Sequence, residues 1–61
     1  MSQNRKILII EDDTLLVEEL SEQILMHEEF DVISAETAST GLAAAKSEAP
    51  DLILLDVGLP D

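Results

Sequence analysis

Two short acidic stretches carry the chemistry this sequence could do. Glu11-Asp12-Asp13 follows directly on the apolar run Ile7-Leu8-Ile9-Ile10, and Asp56 follows directly on Leu52-Ile53-Leu54-Leu55. A carboxylate at the end of a buried apolar strand needs a partner, because a charge taken out of water is costly unless it is paired. If the two strands lie side by side and parallel, Asp56 faces Glu11 and Asp12 across a few ångströms. Carboxylates crowded in this way oppose one another's ionisation, and a divalent cation removes the difficulty. The chain has no cysteine and its one histidine is remote in sequence, so an all-oxygen ligand set points to Mg2+ or another hard ion rather than zinc. One or two carboxylates, waters and a phosphate oxygen suit magnesium, and a backbone carbonyl just after Asp56 is a further candidate ligand. Gly58 and the stiff Leu59-Pro60 help to hold that loop open. The plainer alternative is that Glu11, Asp12 and Asp13 cap the following helix while Asp56 turns to solvent.

The elements that must position these acids alternate along the chain. Ile7–Ile10 is a short apolar run of β-branched character, which predicts a buried strand. Leu16, Leu20 and Ile24, with Val17 and Leu25 beside them, form one helical stripe between Leu15 and Met26, capped by Asp13 or Thr14, with Glu18, Glu19 and Glu22 facing water. Phe30–Ala35 is more mixed and predicts an edge strand. Thr37 is placed to cap an alanine-rich helix over residues 38–48, in which Gly41 permits close packing on the sheet. Ala49-Pro50-Asp51 stops that helix, and Leu52–Leu55 is the third strand. Strand, helix, strand, helix, strand calls for an α/β unit: a three-stranded parallel sheet, order 2-1-3, with one helix on each face. Parallel strands end on the same side, so the acids after the first and third strands meet where open α/β sheets bind ligands.

Composition excludes several classes. A chain of 61 residues makes one small domain, and the absence of cysteines argues against a secreted miniprotein. No apolar run approaches a membrane span, and Met1–Lys6 leads into too few apolar residues for a signal peptide, so a cytoplasmic protein is expected. Three basic residues against fourteen acidic ones give a net charge of −11, which repels nucleic-acid phosphates. Most of the acids are read as a solvated surface.

Lys6-Ile7-Leu8-Ile9-Ile10-Glu11-Asp12-Asp13 and Pro50-Asp51-Leu52-Ile53-Leu54-Leu55-Asp56-Val57-Gly58-Leu59-Pro60 together resemble the first strand and the phosphoacceptor strand of response-regulator receiver domains. The resemblance spans residues 1–61 and implies the N-terminal half of a flavodoxin-like, doubly wound receiver fold, with no second domain. It implies that Asp56 is the phosphoacceptor, taking a phosphoryl group from a sensor histidine kinase or phosphotransfer protein. It further implies that Asp12 ligates Mg2+ directly, Glu11 largely through water, and Gly58 through its backbone carbonyl. Asp13 falls outside the set and is given a capping role. The expected class is a signalling protein, catalytic at most in its own phosphorylation and dephosphorylation.

Two departures from the family pattern stand out. A glycine is common between the first helix and second strand, where this chain has His27-Glu28-Glu29-Phe30. His27 is read as a residue near a helix end rather than as a catalytic group. The family's full domain also has five strands, and its second half supplies a hydroxyl residue, a lysine and an aromatic switch residue. Neither Lys6 nor Lys46 is placed to substitute for that lysine, so residues 1–61 alone are expected to bind metal weakly, to form little stable adduct and not to switch. An uncovered third strand predicts a homodimer, with Leu52–Leu55 of two chains antiparallel about a two-fold axis. The other readings are a structural fragment with an inert acidic site and a Mg2+-dependent phosphatase with an aspartate nucleophile. The latter wants a second acid two residues on, where Gly58 stands.

Overall fold

The computed structural model describes residues 4–55. Five elements follow in order: β1 (Arg5–Ile10), α1 (Thr14–Leu25), β2 (Phe30–Ala35), α2 (Ala38–Glu48) and β3 (Leu52–Leu55). The strands form one parallel sheet in the order β2-β1-β3, as the alternating pattern predicts. The step from β1 to β2 crosses the sheet one way and the step from β2 to β3 passes back over β1, so right-handed crossovers put the two helices on opposite faces. Gly41 of α2 accordingly lies against Ile10, while Leu20 of α1 borders a groove with Ile9 and Leu54.

The core is β1. Leu8 and Ile9 are almost inaccessible and Ile7 and Ile10 are buried, because β1 is flanked by a strand on either side. β3 differs from what its apolar run alone suggests. Among the described residues it lies at the edge of the sheet, with Leu52, Ile53 and Leu55 exposed, because α1 packs chiefly on β2 and α2 on β1 and β2. Val17, Leu20 and Ile24 give α1 its inward stripe, half-buried, and Glu18, Glu19 and Glu22 are exposed.

The ends of the helices are set by local chemistry. Asp13, rather than Thr14, is the N-cap of α1, its side chain accepting from the backbone N–H groups of Leu15 and Leu16. Thr37 caps α2 in a reciprocal box with Thr40. The turn into β2 needs no left-handed residue. Met26 stays right-handed at φ −64°, His27 N–H donates to the Ile24 carbonyl at 3.0 Å, and the rings of His27 and Phe30 meet edge to face at 6.2 Å. The missing glycine is thus replaced by a different turn. By contrast α2 ends on Ala49 at φ 49°, the left-handed region that favours glycine. Among the described residues no helix is long and apolar enough to cross a membrane.

Candidate functional site

β1 delivers its last apolar residue, Ile10, to the edge where the sheet ends, and the acidic turn begins there. Glu11 N–H still donates to the Ala35 carbonyl at 2.9 Å, so β2 fixes the backbone one residue beyond the strand. Glu11 is the single buried charged residue among those described, 7% exposed, and its Oε2 accepts from Asp13 N–H at 3.0 Å. Asp13 in turn accepts from Leu15 N–H at 3.1 Å and Leu16 N–H at 3.2 Å through Oδ1. Each carboxylate thus holds the backbone just after it, and the turn is stapled from strand to helix. Between them Asp12 is exposed.

This arrangement separates the roles of three adjacent acids. Asp13 is committed to the helix, which bears out its reading as a cap. Glu11 is committed to the turn and is screened from solvent. Asp12 is left exposed to solvent between them. An exposed carboxylate beside a buried one, with only oxygen donors nearby, fits a hard cation that retains part of its water shell.

Basic side chains do not neutralise this edge. Arg5 and Lys6 lie where β1 begins, and Lys46 is in the last turn of α2, which runs back towards the start of the strands. Lys6 Nζ pairs instead with Glu48 Oε1 at 3.0 Å, confirming that it stands at the opposite edge from the acids.

The second half of the expected site follows β3. Ile10 pairs with Leu55 in the β1–β3 register, so the residue preceding Glu11 and the residue preceding Asp56 are partners across the sheet. Asp56 and Gly58 themselves lie outside the described residues. Among the described residues no group of three His, Cys, Asp or Glu side chains could hold a metal ion; the expected set needs Asp56 as its third carboxylate. A shallow groove of about 160 Å³ runs along the same edge between β1 and β3, lined by Ile9, Ile10, Glu11, Leu20, Leu54 and Leu55. What sequence reasoning missed is the part played by the far end of β3, where Asp51 bonds twice to Lys6, a residue 45 positions earlier that nothing in the neighbouring sequence points to.

Comparisons with known proteins agree with this layout. Residues 7–61 match the family described as the response regulator receiver domain. The chain is 42% identical over 57 residues to the alkaline phosphatase synthesis transcriptional regulatory protein PhoP of Bacillus subtilis, covering 93% of this chain and 23% of that protein. It is 36% identical over 55 residues to the probable transcriptional regulatory protein TcrX of Mycobacterium tuberculosis, covering 90% of this chain and 23% of that one. A protein-glutamate methylesterase/protein-glutamine glutaminase of Rhodospirillum rubrum is 36% identical over 56 residues, covering 92% of this chain and 15% of its own length. The chain therefore spans less than a quarter of the length of each of these relatives, and no solved structure matches it. The family match runs from the first buried residue of β1 to the end of the sequence, across the β2-β1-β3 sheet and its acidic turn, and the chain belongs to the response regulator receiver domain family of two-component systems.

Proposed function

We propose that this chain is the phosphoacceptor half of a receiver, with Asp56 as the nucleophile and Glu11, Asp12, Asp56 and the Gly58 carbonyl as the site for Mg2+. The observation that carries the reading is the β1–β3 register, which aligns the strand ends leading into Glu11 and Asp56, together with the stapled turn in which Asp12 is exposed. A carboxylate oxygen of Asp56 attacks the phosphorus of a kinase phosphohistidine; the P–N bond breaks, the imidazole leaves with the bond's electrons and takes up a proton, and an acyl phosphate forms. When bound, Mg2+ neutralises charge on the equatorial phosphoryl oxygens. Asp12 supplies a direct carboxylate ligand, Glu11 orients the water shell from its buried position, and Asp13 keeps the turn rigid through its cap. The partner is a histidine kinase or phosphotransfer protein in the cytoplasm, and the protein is a signalling receiver rather than an enzyme acting on a separate substrate.

Acetyl phosphate with Mg2+ tests this, with hydroxylamine present to trap even a short-lived acyl phosphate as a hydroxamate. The expected product is a hydroxamate mapped to Asp56 and absent from Asp56→Asn. A hydroxamate at another acid, or none at all, removes the reading; turnover of small phosphate esters would favour the phosphatase instead. One observation favours a second behaviour, self-association: among the described residues β3 lies at the edge of the sheet, with Leu52, Ile53 and Leu55 exposed. Two chains pairing through β3 would sediment as a dimer at micromolar concentration, and a compact monomer rules that out.

A further inference from the structure

β3 is the least specified strand of the sheet. All four of its residues, Leu52-Ile53-Leu54-Leu55, are apolar, so a one-residue slip exchanges like for like on both faces, where an alternating strand would turn its apolar set outward. Burial does not select a register either, since Leu52, Ile53 and Leu55 are exposed. Yet the register decides how far Leu55 stands from Ile10, and each residue of slip moves it by about 3.3 Å.

The opposite end of the strand holds what its apolar run lacks. Asp51 N–H donates to the Lys6 carbonyl at 2.8 Å, and Asp51 Oδ2 accepts from Lys6 N–H at 2.8 Å. One residue therefore grips both main-chain groups of Lys6. Lys6 Nζ adds an ion pair to Glu48 Oε1 at 3.0 Å, tying the end of α2 to the same point. A slip in one direction would bring Pro50 to this place, which has neither an N–H nor a side-chain acceptor; a slip in the other would bring Leu52, which has no acceptor. Only the observed alignment completes the bracket.

We infer that Asp51, gripping Lys6, is a register pin for β3 and thereby a positioning residue for the acidic edge at the other end of the strand. Its effect on register stands alone, while its effect on the metal site rests on the function proposed above. A slip would shift Leu55, the last described residue before Asp56, by about 3.3 Å, more than the ~2.1 Å at which Mg2+ holds its ligands. Asp51 thus acts from a distance, through alignment rather than contact.

Disulfide capture reads the register directly in a chain that has no cysteine of its own. Ile9→Cys with Leu54→Cys reports the observed pairing, and Ile9→Cys with Ile53→Cys reports the slipped one. Mild oxidation is expected to favour the first pair. Asp51→Ala should lower that preference by roughly five- to tenfold, the scale of a lost hydrogen bond, while Asp51→Asn, which keeps the acceptor oxygen, should restore it. An unchanged preference in Asp51→Ala overturns the pin. Should Asp51→Ala not fold, moving the bracket by one residue with Pro50→Asp and Asp51→Leu is expected to make the slipped pair dominant, and persistence of the original pair overturns the inference equally. Mn2+ affinity is the second readout: Asp51→Ala should lose about tenfold and Asp51→Asn almost nothing, as for other residues that orient metal ligands without touching the ion. If the unaltered chain binds no Mn2+, the metal-site reading fails while the disulfide pattern still decides the pin.

Discussion

Gly41→Ala places the packing of α2 on β1 under direct test. Gly41 is the one buried residue of α2, and a Cβ added there would lie 2.5 Å from Ile10 Cδ1, 2.8 Å from Cγ1 and 3.0 Å from Cγ2. Cδ1 could swing aside, but Cγ1 and Cγ2 branch directly from Cβ in a stiff side chain that is only 6% exposed. In an open helix the change would stabilise by about 1 kcal/mol through propensity. Forcing a methyl into a filled core costs about 1–3 kcal/mol, so the variant should be net destabilised by roughly 1 kcal/mol. Urea unfolding followed by far-UV circular dichroism reads this as a midpoint about 1 M lower at a slope near 1 kcal/mol/M. The mechanism makes a sharper statement through Ile10→Val, which deletes Cδ1. Alone it costs about 0.5–1.5 kcal/mol, but combined with Gly41→Ala it should cost about 0.5–1 kcal/mol less than the sum. A Gly41→Ala variant more stable than the parent, with an additive double mutant, would refute the close approach.

Three further outcomes follow from the ends of the elements. Asp13→Ala should lose about 1 kcal/mol of stability in the same urea assay, because two backbone N–H groups lose their acceptor, and Asp13→Ser should retain most of it. Ala49→Gly should stabilise by roughly 0.5–1 kcal/mol, since alanine there occupies left-handed backbone at φ 49°; destabilisation would show that the side chain is needed. Lys6→Gln should change stability by less than about 1 kcal/mol, because its ion pair with Glu48 is 40% and 45% exposed and solvent screens it; a larger loss measured by urea would mean the pair does more than an exposed contact can.

The periodicity of this sequence is enough to write down the fold. The four-residue apolar runs and Thr37 before an alanine-rich segment each find the expected element. The helix expected from Leu16, Leu20 and Ile24 is present, but Val17 takes the inward place and Leu16 is exposed. The order 2-1-3, expected on placing the first and third strands side by side, is the order found. The acidic turn was legible as a cluster, and of the two caps considered for α1 it is Asp13 that serves. Less legible was what depends on contacts between segments distant in sequence. The bonds from Asp51 to Lys6 join residues 45 apart, and no local pattern announces them. The exposure of β3 escapes a reading of its own residues because it depends on where α1 and α2 lie, over β2 and β1. Glycine habits misdirect in one place and inform in another: the turn after α1 manages without one, whereas Gly41 is required by Ile10.

The claim on which the functional account depends is that one divalent ion is held at the strand ends by the acids after β1 and β3. Paramagnetic broadening by substoichiometric Mn2+, read on the backbone amide signals, tests it most directly. The account predicts selective loss of the signals of Ile10 to Asp13 and of Leu55, with those near Glu28, Glu29 and Glu48 intact, and disappearance of the effect in Asp12→Ala. Broadening spread evenly over the acidic surface, unchanged by Asp12→Ala, would contradict it.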